Sequence, residues 1–367
     1  MTRIVLAPDS FKGTITAADA AAALAEGWRS VDQAAAFVHR PMADGGEGTV
    51  AAFAAAVPGA RAMPVTVDGP AGGRIETSWL LLPATPDAPR GTAVVDLGST
   101  SGIELLDALR PWDADTTGFG QAIAAALDHG VSRLVVGIGS SASTDGGTGM
   151  LSALGARFLD AAGAPVAPGA RGLADIVAVD LTGLRPAPEV RVLTDVTNPL
   201  TGPRGAAAVF GPQKGLAAPH DIAHVDDGLA RLAAILDFDA TLPGSGAAGG
   251  TGAALVVWGG VLAPGAAEVA ELIGLAAAIA DADVVITGEG SYDGQSGDGK
   301  VPSFLASLAA AAGARAMLAA GRITPDADTA LFAASVSLTD LAGSSDAALA
   351  EPARWLTAAG AALARAH

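Results

Sequence analysis

The residues best suited to chemistry are three lysines, each beside a glycine. Lys12 lies in APDSFKG, Lys214 in VFGPQKG and Lys300 in GDGKVP, and they are the only lysines among 21 Lys and Arg residues. Lysine is a compact charge with three donors, whereas arginine is a planar fork, so the two do not substitute freely. A lysine in a glycine loop can stabilise charge on a phosphoryl group. For each lysine taken singly, a solvated loop charge is the alternative.

A glycine-rich pattern occurs three times, as DGGEGT at 44–49, DGGTGM at 145–150 and AGGTGA at 248–253. Glycines allow positive φ, and successive backbone N–H groups near a helix N-terminus stabilise an anion. Each copy alone could simply make a tight turn. Together they predict phosphate contacts at four positions, Gly45, Gly46, Gly146 and Gly147.

Acidic residues follow predicted strands at six positions, Asp9, Asp44, Asp145, Asp195, Glu289 and Asp293. In parallel α/β sheets ligands bind at the carboxyl ends of the strands. Carboxylates there can hold Mg²⁺ or accept a hydroxyl proton. For any one of them, capping a helix or a turn is an equal alternative.

Alternating apolar and helical patterns indicate which elements position these side chains. Strands are predicted at 4–7, 36–39, 134–138, 190–193, 284–287 and 316–319. Helices are predicted at 16–29, 49–56, 117–128, 150–159, 220–236, 266–280 and 302–312, with Thr16 as a cap and Pro302 in a first turn. The alternation predicts an α/β protein whose parallel sheet is buried on both faces.

Between about Arg61 and Gly98 the pattern changes to short strands joined by DGPAGG and PATPDAPRG turns, which favours antiparallel pairing. We interpret this as the start of a second α/β domain with a mixed sheet, inserted into the first. The predicted domains are residues 1–64 with 268–367, and residues 65–267.

Composition excludes several classes of function. The net charge of −17 argues against binding nucleic acid or anionic lipid, and the absence of cysteine excludes disulfides and thiolate chemistry. The N-terminus has too short an apolar run for a secretory signal, so a cytoplasmic protein is expected. The uncharged stretch 244–267 is rich in glycine, which favours buried loop, strand and helix over a membrane span.

Rival motifs are weaker. The segment GQSGDGK at 294–300 resembles a P-loop, but Val301 replaces the Ser or Thr that would reach magnesium. No predicted strand leads into a dinucleotide-binding G-x-G-x-x-G, no G-x-S-x-G elbow is present, and His220 with His224 fits a solvated helix face better than a metal site. Phosphoryl transfer fits the residues best.

Taken together, the long motifs resemble the bacterial glycerate kinases of the first type. Those motifs are IVLAPDSFKG at 4–13, PMADGGEGT at 41–49, VVGIGSSASTDGGTGML at 135–151, VLTDVTNPLTGPRGAAAVFGPQKG at 192–215, GGTGA at 249–253 and DADVVITGEGSYDGQSGDGKVP at 281–302. The resemblance implies transfer of the γ-phosphoryl group of ATP to D-glycerate with Mg²⁺, and it favours the 2-phosphate as product. It also implies a flavodoxin-like domain interrupted by a second α/β domain. It leaves open whether the chain forms a homodimer.

The chain departs from that family at several positions. Ser140 and Thr144 replace the usual Gly and Asn, Ser291 replaces an Arg, and Gly297–Asp298 replaces a Leu-His pair. The loss of a guanidinium at 291 keeps open a kinase of a related hydroxy acid. A separate alternative is an acidic α/β protein that binds an anionic metabolite without catalysis.

We expect the candidate residues to lie in one cleft between the two domains, where they have different roles. The three lysines would neutralise the triphosphate. Asp195, Asp293 and Glu289 would bind Mg²⁺, with Asp195 or Asp293 orienting the attacking hydroxyl. Arg204 would clamp the substrate carboxylate, assisted by Asn198 and Asp44. Cofactor contacts are also expected at Asp9, Ser10, Gly288 and Gly290.

Overall fold

The computed structural model describes residues 1–11, 13–46, 48–294 and 300–367. Within these ranges the chain forms thirteen strands: β1 (Arg3–Leu6), β2 (Ala36–His39), β3 (Arg61–Asp68), β4 (Arg74–Leu82), β5 (Thr92–Asp96), β6 (Arg133–Gly137), β7 (Arg157–Leu159), β8 (Ala178–Asp180), β9 (Glu189–Leu193), β10 (Val261–Ala263), β11 (Val284–Tyr292), β12 (Arg315–Ile323) and β13 (Ala334–Ser337). The same residues form fourteen α-helices: α1 (Ala17–Arg29), α2 (Thr49–Ala56), α3 (Gly98–Ser101), α4 (Thr117–His129), α5 (Thr148–Ala153), α6 (Ala206–Phe210), α7 (Pro219–Ile235), α8 (Thr251–Val257), α9 (Gly265–Leu272), α10 (Leu275–Ile279), α11 (Val301–Ala312), α12 (Leu338–Ala342), α13 (Ser345–Ala350) and α14 (Pro352–Ala366).

The chain divides into two compact units, one of residues 1–44, 51–58 and 264–367, and the other of residues 45–50 and 59–263. The boundaries at 58/59 and 263/264 lie a few residues from the predicted 64/65 and 267/268, and residues 45–50, predicted in the first domain, group with the second unit. Residues 61–68 belong to the second unit because β3 pairs along its whole length with β4. Residues 265–267 belong to the first unit because they open α9.

The first unit contains a five-stranded, entirely parallel sheet in the order β13-β12-β11-β1-β2. Counted within the unit, this is the flavodoxin strand order. Its four predicted strands are present. Interior strands β1 and β11 are buried on both faces, which explains their continuous apolar runs. Strand β13 was not predicted because its sequence, ASVS, has only one strongly apolar residue.

The second unit contains a six-stranded mixed sheet in the order β10-β9-β6-β5-β4-β3. Strands β3, β4 and β5 form the predicted antiparallel meander, whereas β5, β6, β9 and β10 are mutually parallel. Its core includes Phe119, Ile123, Leu134, Val192 and Leu229. The predicted α/β class, with one parallel and one mixed sheet, is therefore confirmed.

Two predicted helices are wrong in extent. The helix predicted over 150–159 ends at Ala153, since Gly155 adopts a φ of +109° and the chain continues as β7. The helix predicted over 266–280 is two helices separated by Gly274, whose φ is +67°. In both segments apolar residues continue past a left-handed glycine, so hydrophobicity alone did not locate the end.

Two predicted helix starts are confirmed. The Thr16 hydroxyl accepts a hydrogen bond from the Asp19 backbone N–H (3.1 Å) and donates one to Asp19 Oδ2 (2.8 Å). Pro302 lies in the first turn of α11, where its missing N–H costs no intrahelical hydrogen bond.

The uncharged stretch 244–267 forms a 3₁₀ helix (Ala247–Gly250), α8, β10 and the start of α9, as predicted. Across the described parts of the chain, every helix is too short or too polar to span a bilayer.

Candidate active site

In the parallel sheet of the first unit, the strand order reverses between the neighbouring strands β1 and β11. Chain connections lead outward from these two neighbouring strands to opposite edges, and such a switch point is where ligands bind in open α/β sheets. The pairing continues past the end of β1, since the Asp9 backbone N–H donates to the Gly288 carbonyl oxygen (2.8 Å). The loop after β1 and the end of β11 are thereby held side by side.

A cavity of about 560 Å³ opens within the first unit at this edge. Its lining combines Asp9, Ser10 and Phe11 after β1 with Glu289–Ser291 and Asp293 at the end of β11. Gly321 and Arg322 of β12 extend the lining, and Leu338, Ala348, Leu349 and Pro352 give one side an apolar wall. The volume suits a small ligand with a charged part and an apolar part.

The charges of the cavity come from four carboxylates and two cations: Asp9, Asp44, Glu289, Asp293, Lys300 and Arg322. Lys300 Nζ lies 3.9 Å from Asp293 Oδ1, and the side chains are 41% and 37% exposed. Lys300 is also the N-cap residue of α11, which fixes its backbone at the rim of the cavity. A mobile ammonium beside a carboxylate can stabilise charge on a phosphoryl group.

Arg322 was not among the predicted site residues. It lies directly opposite Ser291 in the β11–β12 register, and its Nη2 donates to Ser291 Oγ at 3.4 Å. A guanidinium therefore stands beside position 291 although it belongs to the neighbouring strand. Sequence reasoning had no signal for this, because the register of two strands separated in sequence is a tertiary property.

The glycines predicted to bind cofactor near the cavity have a packing role. A Cβ at Gly288 would overlap the Ala319 carbonyl oxygen, and one at Gly321 would overlap that of Gly290. Only glycine allows β11 and β12 to approach so closely. Gly290, Asp9 and Ser10 do line the cavity, so the predicted cofactor contacts at these positions remain sterically available.

Lys214 belongs to the second unit, where it ends a 3₁₀ helix (Pro212–Lys214) and is 3% exposed. Its Nζ donates to Ser141 Oγ (2.7 Å) and to the Ser143 carbonyl oxygen. Burial lowers the pKa of Lys214 to about 7, and the negative charge of Asp145 partly opposes that shift. In this structure the Lys214 ammonium therefore fastens the loop after β6, and the catalytic role predicted for it stays a prediction.

Asp145 accounts for the glycine pattern at 145–150. Its Oδ1 accepts from Ser143 Oγ (3.0 Å) and the Gly147 N–H (3.1 Å). Its Oδ2 accepts from the N–H (3.0 Å) and hydroxyl (2.8 Å) of Thr116 and from the Gly149 N–H (3.2 Å). The Asp145 carboxylate thus accepts hydrogen bonds from amides of its own glycine loop, which gives these glycines a structural role.

The Gly146 amide is also engaged within the chain, since it donates to the Gly249 carbonyl oxygen (3.0 Å). The second and third copies of the glycine pattern therefore bind each other, and the amides of Gly146 and Gly147 both have acceptors within the chain. The cofactor contacts predicted at these two glycines stay a prediction. In the first copy, Gly45 has a φ of +93°. A Cβ at this position would lie 2.5 Å from the Leu193 carbonyl oxygen, so close packing again requires glycine. The Gly46 carbonyl oxygen accepts from Thr49 Oγ1 (2.7 Å).

The other predicted residues of the second unit lie in the loop that follows β9. Asp195 is exposed just past the carboxyl end of that strand. Asn198 Nδ2 donates to the Arg204 carbonyl oxygen (2.8 Å), which shapes the loop, and the Arg204 side chain is exposed. Their contribution to one site with the cavity of the first unit stays a prediction.

A half-buried acid that the sequence did not reveal, Asp115, lies in the same unit as Asp145. Burial, followed by the negative charge of Asp145, raises the pKa of Asp115 to about 6. The Thr117 N–H donates to its Oδ1 (2.7 Å). Because Asp115 and Asp145 come together only through packing of α4 against α5, no local motif marks the pair.

The donor set partly fits magnesium. Among the described residues, no three His, Asp or Glu side chains form a cluster that could hold a metal ion. Glu289 and Asp293 nevertheless line one cavity and offer the oxygen donors that Mg²⁺ prefers. Mg²⁺ in nucleotide sites typically uses one or two carboxylates with phosphate oxygens, so the two suffice without a closed protein cage. Asp195, the third predicted ligand, lies on the other unit.

Two predicted features lie outside the described residues. They are Lys12, for which the catalytic role stays a prediction, and the central part of the P-loop-like segment, residues 295–299.

An open parallel sheet with a polar cavity at its switch point, lined by carboxylates, a lysine and an arginine, defines an α/β enzyme that acts on a small charged ligand. Residues 4–367 match the model of the glycerate kinase family. The chain is 40% identical over 318 residues to glycerate 2-kinase of Escherichia coli K12, covering 84% of this chain and 82% of that protein. It is 39% identical over 338 residues to glycerate kinase of Bacillus subtilis 168, covering 89% and 86%.

A crystal structure assigned as glycerate kinase 2 of Salmonella typhimurium LT2 superimposes with a TM-score of 0.84 at 38% identity, covering 99% of this chain and 97% of that one. The chain therefore belongs to the glycerate kinase family. It is a kinase, which implies ATP as cosubstrate.

Proposed function

We propose that the protein transfers the γ-phosphoryl group of ATP to D-glycerate and that the 2-hydroxyl is the acceptor. The observation that carries this proposal is the cavity of the first unit, in which Lys300, Arg322 and four carboxylates surround a space for a small anionic ligand. Membership of the glycerate kinase family supports the acceptor. The name of the Escherichia coli relative, glycerate 2-kinase, supports the 2-phosphate over the 3-phosphate.

In this proposal Lys300 neutralises charge on the transferring group, because its ammonium is exposed in the cavity and its backbone is anchored at α11. Asp293 lies close enough to Lys300 to set its position and to orient a substrate hydroxyl. Lys12 and Asp195 keep the phosphate-binding and acid–base roles predicted for them. Lys214 acts by positioning, since both of its contacts hold the loop that contains Ser141 and Ser143.

Glu289 and Asp293 would hold Mg²⁺ together with phosphate oxygens of the nucleotide. When bound, the ion would offset negative charge on the phosphates and orient them. The residues of this chain then have two tasks: to hold the acceptor and to exclude water from the reacting groups.

A kinase of a related small hydroxy acid is a second candidate. It is favoured by the arrangement at positions 291 and 322, where the guanidinium comes from a different strand than the family resemblance implies. Membership of the glycerate kinase family opposes the other alternative that the sequence left open, an anionic-metabolite-binding protein without catalysis, and turnover tests it directly.

The experiment is an ADP-release assay on the purified protein with ATP, MgCl₂ and D-glycerate, compared with L-glycerate, D-lactate and no acid. We expect ADP release that depends on D-glycerate, and phosphorus NMR should show a 2-phosphate product. ADP release with another acid but not with D-glycerate would show that the other acid is the acceptor. Binding of D-glycerate by calorimetry without ADP release would favour the non-catalytic protein.

The remaining predictions concern assembly and location. Analytical ultracentrifugation decides whether the chain forms the homodimer that the sequence left open. The cytoplasmic location stays a prediction that fractionation of the source cells would test.

A further inference from the structure

The two cations of the cavity differ in how they are paired. Lys300 lies near the carboxylate of Asp293. Among the described residues no carboxylate lies within 4 Å of the Arg322 guanidinium, whose Nη2 donates to the Ser291 hydroxyl at 3.4 Å. A guanidinium that lines a cavity without a carboxylate partner is available to an anionic ligand.

The planar shape of the Arg322 guanidinium limits the chemical class of ligand that it can bind. A guanidinium presents two parallel N–H donors that match a carboxylate or phosphate, and this bidentate arrangement orients as well as attracts. The cross-strand hydroxyl of Ser291 holds one edge of the guanidinium and leaves its other donors for the ligand. Carboxylate and phosphate share this chemistry, and the reaction offers both.

The spacing of Ser291 and Asp293 favours the carboxylate as the ligand of Arg322. Ser291 belongs to β11, Asp293 directly follows the last residue of that strand, and both line the same cavity. Two residues of extended chain span about 6.6 Å. A three-carbon hydroxy acid that is hydrogen-bonded at both ends bridges such a distance, with its carboxylate at Arg322 and its hydroxyl toward Asp293 and Lys300. A triphosphate chain would need a longer row of donors.

We propose that the Arg322 guanidinium, oriented by Ser291, binds the carboxylate of the acceptor and so determines that the enzyme phosphorylates hydroxy acids. This inference rests on the proposed function for the identity of the acid. It gives Arg322 the role that sequence analysis had predicted for Arg204, whose exposed side chain belongs to the second unit.

The test compares Arg322→Ala, Arg322→Lys and Arg204→Ala with the wild type. Arg365→Ala serves as the matched control, since Arg365 is an exposed arginine of the same unit outside the cavity. D-Glycerate binding is measured by calorimetry, and KM is measured for D-glycerate and for ATP separately. We expect Arg322→Ala to weaken D-glycerate binding and raise its KM on the order of 10- to 100-fold, with KM for ATP changed less than about twofold. The D-glycerate KM of Arg322→Lys should lie between those of the wild type and Arg322→Ala, because lysine keeps the positive charge but lacks the bidentate donors of the guanidinium.

A double variant provides a rescue. Because Ser291 and Arg322 are register partners, Ser291→Arg with Arg322→Ser moves the guanidinium across the strand pair and should recover part of the D-glycerate affinity. An increase confined to the KM for ATP would overturn the assignment in favour of a phosphate. An effect in Arg204→Ala but not in Arg322→Ala would overturn it in favour of Arg204.

The outcomes also separate this inference from the proposed function. If the wild type turns over D-glycerate and Arg322→Ala leaves both affinity and KM unchanged, the inference fails and the function stands. If the wild type binds D-glycerate without turnover and Arg322→Ala abolishes binding, the inference stands and the function fails. If the wild type neither binds nor phosphorylates D-glycerate, both fail.

Discussion

Lys300 combines an anchored backbone with an exposed ammonium, and its nearest carboxylate is 3.9 Å away. We expect Lys300→Ala to lower kcat/KM by a factor on the order of 10² to 10³, the usual cost of removing one charge that stabilises a transition state. The fold should be unaffected because the side chain is partly exposed at the rim of the cavity and packs in no core. Steady-state kinetics measures the loss, and Lys300→Arg, which keeps the charge, should lose less.

Turnover of Lys300→Ala within about threefold of the wild type would contradict the role of this ammonium. A large loss accompanied by a lower midpoint of thermal unfolding would show instead that the side chain is structural.

Lys214 makes the free energy of unfolding depend on pH. Its pKa is lowered to about 7 in the folded protein by burial, whereas in the unfolded chain it is near the ordinary 10.5. Between these values only the unfolded state holds the proton, so this residue makes stability rise with pH; below about 7 both states are protonated and its contribution is constant. The slope is at most about 1.4 kcal/mol per pH unit.

We therefore expect the difference in unfolding free energy between wild type and Lys214→Met to grow in favour of the wild type from pH 7 to 9. Urea unfolding at each pH measures it, and Lys300→Met is the matched control because that side chain is 41% exposed, whereas Lys214 is buried. A difference that stays constant over this range would show that Lys214 is charged in both states.

The sequence identified Lys214 and Lys300 as unusual, but it did not indicate the environment of either side chain. A lysine beside a glycine can be exposed at a cavity, as Lys300 is, or buried under a loop, as Lys214 is. The difference depends on Ser141 and Ser143, more than 70 residues earlier in the chain, whose oxygen atoms replace water around the Lys214 ammonium.

At the scale of elements, the turn after β6 contains a strained residue. Ser140 has a φ of +59°, a conformation that costs a residue with a Cβ about 1 kcal/mol and glycine almost nothing. Its carbonyl oxygen accepts from the Ile103 N–H (2.8 Å), a bond that any side chain would keep. We expect Ser140→Gly to raise the free energy of unfolding by about 1 kcal/mol, measured by urea denaturation.

Ser140→Ala is the control for that substitution, since it removes the hydroxyl and keeps the strained backbone. Equal gains from both variants would mean that the hydroxyl, and not the φ angle, is the source of the cost.

Helices α1 and α14 pack through two glycines. A Cβ on Gly27 would overlap the Thr357 carbonyl oxygen, and a Cβ on Gly360 would overlap that of Leu24. We expect Gly360→Ala to destabilise the protein by about 1–3 kcal/mol, because the helices must separate and expose Leu24 and Leu356. Urea unfolding measures the loss, which should exceed any gain in helix propensity.

A stability within about 0.5 kcal/mol of the wild type would contradict this view of the α1–α14 contact. Neither glycine could be interpreted from the sequence, where both interrupt helical patterns. Glycine is needed at both positions because α1 and α14, from opposite ends of the chain, approach each other closely.

At the scale of the whole molecule, the net charge is −17 over 367 residues, with 38 acidic side chains. Mutual repulsion of these charges opposes the compact state and is screened by salt. We expect the midpoint of thermal unfolding to rise by a few degrees between about 10 and 150 mM NaCl, where the Debye length falls from about 30 to 8 Å. Calorimetry measures it, and KCl at equal ionic strength should act alike. A midpoint independent of salt would mean that local ion pairs offset the repulsion.

By itself, the sequence determined the α/β class, most interior strands, the interruption near residue 61 and the family resemblance. These follow from local patterns: buried parallel strands need continuous apolar runs, turns need glycine or proline, and long motifs persist in neighbouring residues. Only the tertiary structure decided that the Asp145 carboxylate binds amides of its own glycine loop, that Lys214 is buried and that Arg322 lines the cavity. Each depends on strand register or on packing between residues far apart in the chain, and no local pattern encodes the distance between such atoms.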